Sequence, residues 1–143
     1  MARQISVLID TSGSMAEDCK GAVVKYVLNT IISVSEETQS DLKVCLVGDE
    51  MLVVEDTSNS KIAYRGELKT NGIRAALENG SEGYLLISDG CFNSEVESLL
   101  TKNKDQIISV AIGADAMINN LQRCSRNKKV FQASDVIAAM KEI

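Results

Sequence analysis

Short apolar runs alternate along the chain with longer segments in which apolar residues recur every three or four positions. The short runs predict β-strands, and the helical spacing predicts amphipathic α-helices. The predicted strands are residues 5–9, 42–47, 51–54, 84–88, 106–112 and 129–132. The predicted helices are residues 16–34, 71–77, 94–100, 115–124 and 134–143.

The order of these elements predicts the α/β class. Strands separated by helices imply crossover connections, and hence a doubly wound, mostly parallel six-stranded sheet with helices on both faces, as in Rossmann-like folds. Gly48-Asp49-Glu50 is short enough for a hairpin, so the third strand is predicted to be an antiparallel edge strand. We also expect a turn at Ser58-Asn59-Ser60 and a helix end at Asn79-Gly80. No linker or repeat interrupts residues 1–143, which predicts one domain.

Composition and charge narrow the class of partner. Apolar residues make up 45% of the 143 positions, as in ordinary globular proteins, and no run approaches the ~18 apolar residues of a membrane helix. Fifteen basic and twenty acidic residues give a net charge of −5, which disfavours nucleic acid and anionic membranes as partners. The N-terminus lacks the pattern of a signal peptide, so we expect a cytoplasmic protein.

Missing residue types exclude several chemistries. The chain has no histidine, which rules out Ser-His and Cys-His nucleophiles as well as imidazole metal ligands. Its four cysteines form no Cys-x-x-Cys pair, so a zinc cage is not expected. Cys45 lies in a strand and reads as a small core residue, and we expect reduced thiols throughout.

Oxygen-bearing side chains follow two of the predicted strands. Asp10 ends the first strand and Asp89 ends the strand at 84–88. Ligands of such sheets bind beyond the carboxyl ends of the strands, near the point where strand order reverses. The segment D-T-S-G-S places Asp10, Ser12 and Ser14 at alternate positions, and Gly13 is expected to permit a tight turn. Carboxylates and hydroxyls are hard oxygen donors, so the pattern predicts a divalent-cation site.

Simpler explanations exist for each of these residues taken singly. Ser14-x-x-Glu17 matches a capping box, and Thr70 precedes a helix that it could cap. Asp10 and Asp89 could be turn formers. Taken together they explain the pattern less well, because helix capping requires neither Asp10 nor Ser12, nor an aspartate at the end of a second strand, and the combination favours the metal site.

Three segments resemble the von Willebrand factor A (vWA) domain family. ISVLIDTSGSM at 5–15 resembles its first strand and D-x-S-x-S loop, LKTNGIRAAL at 68–77 its threonine loop, and LLISDG at 85–90 its strand ending in aspartate. The resemblance implies the vWA fold and a metal-ion-dependent adhesion site (MIDAS). In that site Ser12, Ser14 and Thr70 would supply hydroxyls, and Asp10 and Asp89 would act mainly through bridging waters.

The resemblance also implies a function. It predicts a cytoplasmic protein-interaction module, not an enzyme, that holds Mg²⁺, with Mn²⁺ or Ca²⁺ as alternatives, and grips an Asp or Glu of a partner protein. Such a partner would be an AAA+ ATPase or another component of a regulatory or defence system. A metal-dependent phosphoester hydrolase, with Lys69 and Arg74 as the nearest basic residues, and a metal-free scaffold remain alternatives. Cys91 is expected near the edge of the metal site, as an incidental thiol or with a redox or contact role.

Overall fold

A computed structural model describes residues 3–56, 61–78 and 80–143. Its strands are β1 (Gln4–Asp10), β2 (Asp41–Val47), β3 (Met51–Val54), β4 (Gly83–Ser88), β5 (Ile107–Ala111) and β6 (Val130–Gln132). Its α-helices are α1 (Lys20–Thr38), α2 (Thr70–Leu77), α3 (Ser94–Lys102), α4 (Ile118–Arg123) and α5 (Val136–Glu142). Four 3-10 helices lie at Gly13–Ala16, Lys104–Gln106, Arg126–Lys128 and Ala133–Asp135.

The strands form one six-stranded sheet in the order β3-β2-β1-β4-β5-β6. All neighbouring strands are parallel except β2 and β3, which form an antiparallel hairpin at one edge. The predicted doubly wound sheet with one antiparallel edge strand is therefore confirmed. Strand order reverses between β1 and β4, so the carboxyl ends of these two strands flank the crevice where such folds bind ligands.

Two apolar layers cover the sheet, one on each face. Val7 and Ile9 of β1 pack in one layer with residues of α1 and α5. Leu8, between them, packs in the other layer with residues of α2, α3 and α4. Successive strand residues point to opposite faces, so burial on both faces explains why β1 is apolar from Ile5 to Ile9 at every position except the buried Ser6.

The first helix begins later than the sequence predicts. The predicted helix 16–34 is wrong at its start, because Asp18 and Cys19 adopt the left-handed conformation, with φ of 49° and 63°. This break separates the 3-10 helix Gly13–Ala16 from α1, which starts at Lys20. Ser14 consequently does not cap α1, whose N-cap is Cys19. Among the described residues no helix has the length and apolar character needed to cross a membrane.

Two further helices are shorter than predicted, and two predicted chain turns lie wholly or partly outside the described residues. The helix predicted at 115–124 starts at Ile118, and the one at 134–143 starts at Val136 after a 3-10 turn. The turn at Ser58-Asn59-Ser60 lies outside the described residues, as does Asn79 in the predicted helix end. Helix α2 does end at Leu77, close to the predicted position.

Helix α2 is locked against the β2–β3 hairpin by a close backbone contact at Gly72. A Cβ at this position would lie 2.6 Å from the Gly48 carbonyl oxygen and 3.0 Å from that of Glu50. Both neighbours are backbone atoms of a tight turn, so they cannot move aside like a flexible side chain. Gly72 therefore fixes where α2, and Thr70 at its start, stand relative to β2.

We expect Gly72→Ala to destabilise the protein by about 1–3 kcal/mol, as overpacking of a rigid contact does. Thermal unfolding followed by circular dichroism measures the change. Gly13→Ala is the matched control, because a Cβ there meets nothing closer than 3.6 Å. A Gly72→Ala protein as stable as the control would show that α2 does not depend on this contact.

Candidate metal centre

Asp10 is a fully buried carboxylate at the carboxyl end of β1. Its Oδ1 accepts a hydrogen bond from the Ser12 amide at 2.9 Å, and its Oδ2 accepts one from the Ser88 hydroxyl at 2.7 Å. Burial raises the pKa of Asp10, an effect that these hydrogen bonds oppose and the nearby charge of Asp89 reinforces. The ion pairs among the described residues do not include Asp10. The carboxylate is thus held in place without a cationic partner.

The two serines of the D-T-S-G-S loop face one another. The hydroxyl oxygens of Ser12 and Ser14 lie 3.2 Å apart, and both residues line a shallow depression of about 290 Å³. Gly13 between them does not have a positive φ, and the space around it would accept a Cβ. The tight turn expected at Gly13 is present as the 3-10 helix that begins there, but its backbone conformation does not require glycine.

Asp89 follows β4 and is held by a turn that requires glycine. Its side chain is 3% exposed, and Oδ1 accepts a hydrogen bond from the Cys91 amide at 3.0 Å. Gly90 has a φ of +77°, and a Cβ on it would lie 2.7 Å from the Met117 carbonyl oxygen. The turn-forming role weighed for Asp10 and Asp89 is thus present in both, because each bonds the amide two residues ahead. Cys91 is exposed and lines the same depression.

Lys20 is the cation of this centre, and the sequence reasoning missed it. Its side chain is 1% exposed, and its Nζ lies 3.1 Å from Asp89 Oδ2 and 3.0 Å from Asp115 Oδ1. The ammonium also donates to the Ser14 carbonyl oxygen at 3.2 Å. Burial acts to lower the pKa of Lys20, but the hydrogen bonds to Asp115 and Asp89 outweigh it and raise the pKa. Lys20 is therefore charged in the folded protein.

The predicted threonine loop approaches the centre through residues that precede Thr70. The Gly66 carbonyl accepts a hydrogen bond from the Gly13 amide at 2.9 Å, and the Arg65 amide donates to the Thr11 carbonyl at 2.9 Å. Thr70 is the half-buried first residue of α2, after the N-cap Lys69, so it is not the helix cap. Of the described residues that line the depression, Gly66, Glu67 and Leu68 come from this loop, and Thr70 is not among them. A role for Thr70 at a metal stays a prediction.

Exposed carboxylates beside Lys20, called here the rim carboxylates, form a second group that the sequence reasoning did not single out. One oxygen each of Glu17, Asp18 and Asp115 lies within 4.8 Å of the others, and all three residues are exposed. The hydrogen bond from Lys20 lowers the pKa of Asp115. The rim is therefore negatively charged above the buried ammonium.

The donor set suits a hard divalent cation. Each oxygen of Asp10 and Asp89 accepts one protein hydrogen bond, and a carboxylate oxygen has a second lone pair to offer. The paired hydroxyls of Ser12 and Ser14 add neutral oxygen donors at the open side. Mg²⁺ and Mn²⁺ favour carboxylate, hydroxyl and water ligands of this kind. An ion bound here would supply the positive charge that the buried Asp10 lacks.

Comparison with solved structures identifies the fold. Proximal thread matrix protein 1 from the mussel byssus superposes with a TM-score of 0.71 at 14% identity over 99% of this chain and 46% of that one. A von Willebrand factor type A structure from Catenulispora acidiphila gives 0.66 at 13% identity, over 99% and 41%. This chain thus spans less than half the length of either protein. The fold is that of vWA domains, as the resemblance predicted.

Two further solved structures share this fold. An aerotolerance-related membrane protein from Bacteroides fragilis matches with a TM-score of 0.71 and 10% identity, over 99% of this chain and 98% of that one. One structure of the mussel protein, with a TM-score of 0.65 and 14% identity over 99% and 44% of the chains, has a zinc-occupied MIDAS motif. No family model and no curated protein sequence matches this chain.

We expect Asp10→Asn to stabilise the metal-free protein at pH 7 by about 1 kcal/mol, or about 2–4 °C in Tm. The amide keeps the bond from Ser12 and donates to Ser88, while the buried charge disappears. Since the pKa of Asp10 is raised in the folded state, its ionisation reduces stability as pH rises from the unfolded pKa through the folded one.

Thermal melts in chelator at pH 7 and at pH 3 measure this effect. The advantage of Asp10→Asn should vanish at pH 3, where the aspartate is protonated in both states. Asp41→Asn, at an exposed aspartate that starts β2, is the control and should change stability by no more than about 0.5 kcal/mol. If Asp10→Asn destabilised the protein at pH 7, the conclusion that the Asp10 carboxylate lacks a cationic partner would be wrong.

Proposed function

We propose that this domain is a protein-interaction module that binds a divalent cation, Mg²⁺ in the first place, and uses it to grip an acidic residue of a partner. The observation that carries the proposal is the buried, cation-free carboxylate of Asp10 beneath the facing hydroxyls of Ser12 and Ser14. The zinc-occupied MIDAS of the mussel protein, which shares the fold, supports a metal at this position.

The chemistry of the centre favours binding over catalysis. If Asp10 and Asp89 act through bridging waters, only neutral ligands touch the ion, and it attracts a carboxylate from outside strongly. No lysine or arginine is among the described residues that line the depression, and Lys20 is buried against Asp89. The depression therefore presents no basic side chain to a phosphoester. We therefore propose a binding role rather than hydrolysis.

The surroundings of the depression define the partner surface. Phe92 and Met117 line it, and Met117 is 49% exposed, which provides apolar contact area beside the ion. Glu67 on the opposite loop and the rim carboxylates Glu17 and Asp18 repel a uniformly acidic partner. We infer that the partner's acidic ligand is accompanied by an apolar side chain and flanked by basic residues.

We expect Mg²⁺ or Mn²⁺ to raise the Tm of the wild-type domain through binding to the folded state. The gain is about 2.7 kcal/mol when the free ion is 100 times its dissociation constant. Ser12→Ala should reduce this gain, because it removes a hydroxyl at the open side of the centre. Ser33→Ala, on the exposed face of α1, is the matched control and should respond like wild type. A wild-type Tm that the ions leave unchanged would refute the metal site.

Capture of a partner tests the interaction itself. We propose that the domain works in the cytoplasm and that its partner is an AAA+ ATPase or another component of a regulatory or defence system. To find this partner, the immobilised domain would be incubated with a lysate of the source cells. Capture should require Mg²⁺, be lost in chelator and be lost with Ser12→Ala but not Ser33→Ala. A partner retained equally in chelator would show that the interaction does not pass through a metal.

A further inference from the structure

We propose that Lys20 is a tethered cation of the metal centre that competes with the divalent ion for Asp89 and so sets the affinity of the site. This inference rests on the proposed function, since it concerns how that same site takes its ion. In the metal-free protein the ammonium neutralises Asp89. When the ion binds, Lys20 yields Asp89 and keeps its contact with Asp115.

The burial of charge supports this role. Among the described residues the buried charged side chains are Asp10, Lys20 and Asp89, and all three lie at this centre. Lys20 satisfies one of the two carboxylates and leaves the other, Asp10, unpaired. The folded protein thus carries one positive charge against these two buried carboxylates, whereas a divalent ion would bring two.

The position of Lys20 is built into the fold. A Cβ on Gly113, which has a φ of +92°, would lie 2.6 Å from Lys20 Cε and 2.9 Å from Asp115 Oδ1. The missing side chain of Gly113 therefore makes the space that the lysine stem occupies. On the other side, the left-handed residues Asp18 and Cys19 end the 3-10 turn and place Lys20 at the start of α1. Two backbone features at distant points of the chain thus converge on one side chain.

The second carboxylate gives the ammonium an alternative to Asp89. Asp115 is 60% exposed, whereas Asp89 is 3% exposed, and Lys20 contacts both at about the same distance, 3.0 and 3.1 Å. An ammonium that moves toward Asp115 remains paired and gains access to water. Competition therefore needs no unpaired lysine at any stage. Since like charges repel strongly in a buried site, the ion binds more weakly with Lys20 than without it.

Calorimetric titration with Mn²⁺ of wild type, Lys20→Met and Lys25→Met tests the inference. We expect Lys20→Met to bind the ion at least about tenfold more tightly than wild type. Lys25→Met, which removes the same charge from the exposed face of α1, should stay within about twofold. Thermal melts in chelator should show Lys20→Met less stable than Lys25→Met, and Mn²⁺ should reverse that order. If Lys20→Met does not fold, Lys20→Gln replaces it, since this variant removes the charge but keeps an amide that can donate hydrogen bonds.

The outcomes separate this inference from the proposed function. If wild type binds Mn²⁺ and the Lys20 variants bind it equally or more weakly, competition is refuted and the metal site stands. If the Lys20 variants bind and wild type does not, the inference stands and the native domain works without an ion. If none of the proteins binds, both proposals are refuted.

Discussion

The buried ion pair of Lys20 with Asp89 is the constraint on which the centre depends. Two charges withdrawn from water are stabilised only by close contact and complete hydrogen bonding, and loss of one partner leaves the other uncompensated. The fold meets this condition with the turn at Gly90, the space at Gly113 and the left-handed break before α1. These features belong to separate loops, yet each serves the position of one ammonium or one carboxylate.

The central place of β1 explains why the centre lies where it does. β1 pairs in parallel with β2 on one side and with β4 on the other. The crevice at the strand-order reversal therefore opens beside Asp10, with Ser88 and Asp89 across it. The apolar layers on both faces hold these strands in register, so packing energy far from the crevice fixes the spacing of its polar groups.

The architecture and the loops of the centre could be predicted from periodicity and strand-end residues. The mostly parallel six-stranded sheet, its antiparallel edge strand and the position of Asp10 and Asp89 at the carboxyl ends of two strands follow from buried runs and short connections. Lys20 could not be predicted so readily, because a lysine at a helix end is usually solvent-exposed, although this one lies four residues before Val24 and seven before Val27 on the buried face of α1. The signal was indirect: two buried aspartates require positive charge, and Lys20 is the first basic residue after the loop. Thr70 was placed by family resemblance, whereas the local hydrogen bonds bring Gly66 to the loop instead.

The wide spacing of Asp10, Lys20, Asp89 and Asp115 along the chain has a consequence for biosynthesis. A ribosome that has completed β1 and α1 has made Lys20, whose carboxylate partners Asp89 and Asp115 lie 69 and 95 residues further along the chain. Contacts of such long sequence separation form late in folding. The emerging N-terminal half therefore presents no finished centre. If the proposed ion site is used, occupancy by metal would report that β4 and the turn after β5 have folded, and a half-made chain would not offer that site to a partner.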